Sequence, residues 1–182
     1  EKDVERWGVY CICNPPIRDQ SVQDELWKRV LEGKLDCIGT DHSAYLHTEK
    51  AEGKDNIFKT PAGITAMQLC YPLFFDEAVN KRGMSVEQFV SMSSTAAAKR
   101  YDIYPKKGLI DVGADADVVI FDPKAQWVVE NKKLFYLEKW TPHVGRTVTG
   151  RVDETIVRGK SVYRDGDILA EGGYGCFVPA LR

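Results

Sequence analysis

Asp41 and His42 close a short apolar segment, Leu35-Asp36-Cys37-Ile38-Gly39-Thr40, and so present a carboxylate and an imidazole where a buried strand would run out. A carboxylate at the carboxyl end of a parallel strand sits where α/β folds gather their catalytic groups. An aspartate at such a point also serves as a helix cap or as an acceptor within a loop. The dipeptide alone leaves both readings open. His42 bonds to a backbone group or a carboxylate more often than to a metal. Asn14-Pro15-Pro16-Ile17-Arg18 ends the preceding apolar run, and its prolines fix the backbone so that polar groups near Asn14 point one way. A rigid turn is the plainer alternative. His47 and His143 lie in polar stretches and read as solvated.

The elements that would position these groups can be read from spacing. Gly8–Cys13 is a short apolar run stopped by Asn14-Pro15-Pro16, as a buried strand ending in a loop would be. Ser21 offers an N-cap, with Asp24 and Glu25 in the first turn. Val22, Leu26, Trp27, Val30 and Leu31 fall at helical spacing before Gly33. With 35–40 as a second strand, this is a βαβ unit with parallel neighbours. Residues 43–62 predict a polar loop. Residues 64–79 predict a largely buried helix disturbed at Pro72. Ser85 caps a helix over 86–92, and Thr95 a short alanine-rich helix over 96–100. Beyond about residue 108 the pattern changes to short antiparallel strands. One runs from Asp117 to Phe121 and stops at Asp122-Pro123. Thr155–Arg158 and Ser161–Arg164 form a hairpin about Gly159-Lys160, and Asp165-Gly166 makes a further turn before an irregular tail.

Bulk properties exclude several classes. The 25 basic and 27 acidic residues among 182 nearly cancel, so there is no basic field for nucleic acid or anionic membranes. No apolar run approaches the roughly 18 residues of a membrane span. The five cysteines, Cys11, Cys13, Cys37, Cys70 and Cys176, are odd in number and scattered. They read as free core thiols of a reducing cytoplasm rather than a disulfide framework or metal site. The start at Glu1 rather than Met reads as a fragment or processed product.

Taken in order, Asn14-Pro-Pro-Ile-Arg18, Trp27 and Asp36-Cys-Ile-Gly-Thr-Asp-His42 resemble the hydantoinase, dihydropyrimidinase and allantoinase group of the amidohydrolase superfamily. The resemblance continues through Gly53-Lys-Asp55, Pro61-Ala-Gly-Ile64, Phe75-Asp-Glu-Ala-Val79 and Gly113-Ala-Asp-Ala-Asp-Val118. Thr141-Pro-His-Val-Gly-Arg146 and Val157-Arg-Gly-Lys160 complete a series running nearly end to end.

The resemblance implies an α/β fold: the last strands and helices of a (β/α)₈ TIM-like barrel over 1–110, and strands of a small β-sandwich domain over 111–182. Segments 8–13 and 35–40 would be the seventh and eighth barrel strands. Asp41 would ligate one of two divalent metals, with zinc the expected one, and accept the proton of a bridging water that attacks a cyclic amide. Asn14 and the backbone at Ala62 would hold the edge of the substrate, and His42 would support the metal site from behind. The family's His-x-His, bridging carboxylated lysine and two further histidines have no counterpart here and would lie upstream of Glu1. The expectation is a chain that alone lacks a complete metal site and is catalytically inert. A homo-oligomer of the parent enzyme is expected by analogy.

The Gly53-Lys-Asp55 and Pro61-Ala-Gly63 loop resembles hydantoinases and dihydropyrimidinases, which puts hydantoin or dihydropyrimidine substrates first. Met67-Gln68, Asp76–Ser85 and Pro142–Thr147 lean toward allantoinases. A non-enzymatic scaffold relative is the alternative of another class, and retention of Asp41 argues against it. A plain interaction domain, with Asp41 capping the next segment, is the third.

Overall fold

The computed structural model describes residues 2–181. They form a mixed α/β structure of two compact units. The first unit comprises the chain up to Leu35, Gly39–Cys70 and Val128–Thr147. The second comprises Asp36–Ile38, Tyr71–Trp127 and the chain from Val148 onward.

In the first unit, α1 (Lys2–Trp7) runs directly into a 3₁₀ turn, Gly8–Cys11. The strand expected over 8–13 is therefore replaced by a turn, closed by the Ile12 N–H bonding back to the Val9 carbonyl at 3.2 Å. Segment 35–40 is likewise not a strand, so the expected βαβ pair is not formed. The physical reason is that a strand exists only against a partner. A short apolar run carries no information about whether one is present. What remains is a single parallel bridge between His42 and Ile64.

Helix α2 (Gln20–Leu31) forms close to where the periodicity predicts, but its N-cap is Asp19 and not Ser21. The N–H groups of Val22 and Gln23 both bond to the Asp19 carbonyl at 3.1 Å. Gly33 ends it at φ 71°, and the Lys34 N–H reaches back to the Arg29 carbonyl at 3.0 Å. Of its apolar face Val30 is buried, whereas Val22 and Leu26 stay about half exposed. The predicted loop over 43–62 is folded: α3 (His47–Ala51) is followed by 3₁₀ turns at Glu52–Lys54 and Ile57–Lys59. Glu49 accepts the Leu46 N–H at 2.7 Å, and Asn56 accepts that of Phe58 at 3.1 Å. Local side-chain caps thus order a stretch whose polarity suggested solvent. Cys11, Val30, Leu69, Val129, Leu134 and Trp140 form the buried apolar set of this unit.

The long helix expected over 64–79 is shorter and begins later. Helix α4 (Cys70–Phe75) continues as a π-helical stretch, Asp76–Lys81. Pro72 falls in the first turn of α4, where its missing N–H removes no intrahelical bond.

In the second unit, Ser85 caps α5 (Val86–Val90) by accepting the Gln88 N–H at 3.1 Å, a contact worth about 1 kcal/mol. A π-helical stretch, Ser91–Thr95, then joins α5 to α6 (Ala96–Arg100) without a break. Thr95 is consequently no cap; its hydroxyl donates to the Gly108 carbonyl at 2.6 Å. Phe75 meets Phe89 and Phe121 edge-on at 5.2 and 4.7 Å, beside buried Ala78, Met84, Met92 and Val148.

A four-stranded sheet follows in the order β1 (Val118–Val128), β2 (Thr147–Val157), β3 (Lys160–Arg164), β4 (Asp167–Ile168). Strand β1 does not stop at Asp122-Pro123 but runs through it. As an edge strand it tolerates a proline, and Asp122 takes up the N–H groups of Lys124 and Ala125. The predicted hairpin is present, with β2 and β3 antiparallel. Its turn is Arg158-Gly159, one residue earlier than the expected Gly159-Lys160, with both residues at positive φ (47° and 77°), as a tight two-residue turn demands, so that Lys160 pairs with Val157. Asp165-Gly166 repeats the device at 49° and 100°. Asp117 accepts the Arg158 N–H at 2.8 Å and pairs with Lys107, which also holds Asp115 at 2.9 Å. The tail has no regular element, yet the Tyr174 hydroxyl donates to the Val157 carbonyl at 2.9 Å. Among the described residues, no helix is long and apolar enough to cross a membrane. All five cysteines are free thiols, but only Cys11 is buried and Cys176 is exposed, so the reading of all five as core residues does not hold.

Candidate functional site

Asp41 has φ 43°, in the left-handed region that aspartate tolerates better than most residues. The residue is exposed. It is not a cap, since the next helix is preceded by Leu46. Immediately after it the chain is held firmly. The His42 N–H donates to the Thr40 hydroxyl at 3.2 Å, and the Ser43 N–H to the Ile64 carbonyl at 3.1 Å. His42 Nδ1 accepts the N–H groups of Ala66 (2.9 Å) and Met67 (3.2 Å). With both donors aimed at Nδ1, the proton of the neutral ring sits on Nε2. The ring also lies 5.0 Å from Tyr136, whose hydroxyl accepts the Gln68 N–H at 2.8 Å. His42 is thus a backbone organiser, the commoner of the two roles its sequence position allows.

The Asn14 and Ala62 segments meet in the same unit. The Gly63 N–H donates to the Ile12 carbonyl at 2.9 Å, and Ser43 and Tyr45 pack so tightly on Gly63 that a Cβ there would lie 2.5 Å from Ser43 Cβ. Sequence reasoning missed the residue at the centre, Lys50. Its side chain is 2% exposed and its ammonium donates to the carbonyls of Ile12 (3.0 Å), Pro61 (3.1 Å) and Gly63 (2.7 Å). Burial pushes its pKa below the ordinary lysine value. A lone lysine in a charged stretch carries no signal of this. The loop around it closes tightly: a Cβ on Gly53 would fall 1.3 Å from the Thr60 hydroxyl.

The other two histidines are not solvated as expected. His47 stacks 4.5 Å from Tyr10 and 4.9 Å from Trp140, with Nε2 buried. His143 is half-buried, and desolvation, then the charge of Arg146, hold it below the ordinary histidine range. Aromatic neighbours distant in sequence decide the placement of His47. A carboxylate such as Asp41 supplies a hard oxygen suited to zinc, manganese or cobalt. Among the described residues, however, no group of three His, Cys, Asp or Glu side chains is placed to hold a metal.

Residues 12–162 match the amidohydrolase family. Allantoinases of Salmonella newport (strain SL254) and Salmonella heidelberg (strain SL476) are each 40% identical over 159 residues, covering 87% of this chain and 34% of the relative. Among solved structures, L-hydantoinase (dihydropyrimidinase) from Arthrobacter aurescens superposes with TM-score 0.93 at 34% identity, over 98% of this chain and 40% of that one. D-hydantoinase (dihydropyrimidinase) from Thermus sp. gives 0.91 at 34% identity, over 96% and 39%. The chain therefore spans about a third of the length of the curated relatives it matches.

Proposed function

The chain belongs to the amidohydrolase family, and from that premise we propose that it is part of an enzyme that hydrolyses the C–N bond of a cyclic amide or ureide, hydantoin or a dihydropyrimidine. The observation that carries the reading is that His42, directly after Asp41 at its exposed left-handed position, is bridged to Ile64, beside the backbone segments joined at Ile12 and Pro61–Gly63 by Lys50. In that sheltered frame Ala62 makes no hydrogen bond through its own N–H or C=O among the described residues. Its peptide groups are free for the edge of a ring.

In this proposal Asp41 is one ligand of a binuclear divalent centre, with zinc the expected metal and the other ligands on the rest of the enzyme. The bound metals would supply Lewis acidity toward water and the amide carbonyl. The Asp41 carboxylate takes the proton of the attacking water and returns it to the leaving ring nitrogen as the C–N bond breaks. The hydroxyl stays on the carbonyl carbon, so water is consumed and the ring opens to a carboxylate and an N–H group. Asn14 and the Ala62 backbone hold the ring edge, and His42 keeps the segment after Asp41 in register. Residues 1–110 would belong to the catalytic barrel and 111–182 to the accompanying β-sandwich, within a homo-oligomeric enzyme.

Allantoin is the second reading, favoured by the 40% identity to allantoinases. Ring-opening rates of the full-length enzyme on hydantoin, dihydrouracil and allantoin decide between them. Highest kcat/KM on hydantoin or dihydrouracil is expected. Preference for allantoin would reassign the substrate, and no turnover of any of the three would remove the hydrolase reading.

A further inference from the structure

We propose that Lys50 is a positioning residue for substrate binding, holding the Ala62 peptide in the orientation that grips the ring; this rests on the role proposed for Ala62. Three features lead to it. The three hydrogens of the ammonium are matched by three carbonyl acceptors, on Ile12, Pro61 and Gly63, and Lys50 has no acidic partner among the described residues. A lysine 2% exposed whose ammonium is held by carbonyls is a costly group to bury for stability only. The choice of acceptors is selective: the carbonyls on either side of Ala62 turn to the ammonium, and the Gly63 N–H turns to Ile12. Every polar backbone group flanking the Ala62 N–H and C=O on the Gly63 side is thereby occupied, and those two are not.

The lysine is itself pinned. The Thr60 hydroxyl donates to the Lys50 carbonyl at 3.3 Å, and Gly53 lets Thr60 approach. The Ile12 carbonyl accepts from both Lys50 and Gly63. The lysine thus also ties the Ala62 segment to the chain that continues to Asn14, the other expected contact to the substrate edge. Removing the cation frees two carbonyls to rotate, and with them the peptide plane between.

The test compares the full-length, metal-loaded enzyme with Lys50→Met, which keeps the stem, and Lys50→Arg, which keeps donors. Metal content, steady-state kinetics and amide hydrogen exchange are read on each. For Lys50→Met the expected result is a KM raised about ten- to hundredfold with kcat changed far less. Metal content should stay unchanged and exchange should quicken in peptides spanning 61–63, with Lys50→Arg partly restoring both. Unchanged KM and unchanged exchange would overturn the proposal. So would quickened exchange with unchanged KM, which would make the lysine structural, and so would failure of both variants to accumulate as folded enzyme. Absence of cyclic-amide turnover by the unsubstituted enzyme would instead remove the underlying functional reading, while the exchange comparison still reports on Lys50.

Discussion

The imidazole Nδ1 of His42 accepts the backbone N–H of Ala66 at 2.9 Å, joining the residue after Asp41 to the segment after Pro61-Ala62-Gly63-Ile64. One side chain thereby sets the register between the carboxylate and the backbone proposed to face it. Replacing His42 with Ala strands the N–H groups of Ala66 and Met67, a loss of about 1–3 kcal/mol. Chemical denaturation of the full-length enzyme measures it. A loss within experimental scatter would show that solvent satisfies both donors.

Asp41→Asn retains a residue that accepts positive φ but cannot ligate as an anion or take a proton. Activity of the full-length enzyme should fall about 10²–10⁴-fold, while the stability of this chain by itself shifts by less than about 0.5 kcal/mol because the position is exposed in it. Retained activity would remove Asp41 from the chemistry.

Asp76 is buried and accepts from the Lys81 ammonium at 2.6 Å, the Asn80 amide at 3.4 Å and the Thr149 N–H at 3.3 Å. Burial alone would raise its pKa, but these bonds outweigh burial and hold it below the ordinary aspartate value of 3.8. A depressed folded-state value stabilises the fold above the unfolded pKa, and the contribution fades as pH falls through the folded one. The stability of the parent enzyme should therefore decline with acid below the ordinary aspartate range, with a shallower decline in Asp76→Asn. Parallel pH–stability curves would contradict this.

Gly150→Ala would place a Cβ 2.8 Å from the rings of both Phe75 and Phe121 at φ 117°, a conformation L residues avoid. The clash should cost about 1–3 kcal/mol, whereas Gly172→Ala, with nothing within 4 Å, should be near neutral. Thermal melting of the two variants side by side measures the difference; equal melting would mean that the aromatic pocket relaxes freely.

The isolated chain is expected to show no ring opening and no stoichiometric metal, since Asp41 would be a single ligand. Metal analysis and hydantoin turnover of the purified chain check this, and tight zinc with turnover would refute it.

Part of the turn and cap chemistry was determined by sequence. Ser85 caps α5, Gly33 stops α2, and a hairpin forms about Gly159, because each depends on a few adjacent residues, whereas the Ser21 and Thr95 caps fail and the hairpin turn falls one residue early, at Arg158-Gly159. The ordered motifs were enough to indicate the family to which the chain belongs. Tertiary structure decided the rest. Apolar runs at 8–13 and 35–40 carry the composition of strands, but a strand needs a partner that composition cannot name, and neither segment pairs as one. Lys50, His47 and His143 are polar residues in polar stretches. The chain brings Ile12, Pro61 and Gly63 to the Lys50 ammonium and Tyr10 and Trp140 to the His47 ring, and it desolvates His143 beside the charge of Arg146. A short polar side chain can signal its own cap. Whether a lysine thirty-eight residues from its acceptor is buried depends on where the chain brings that carbonyl.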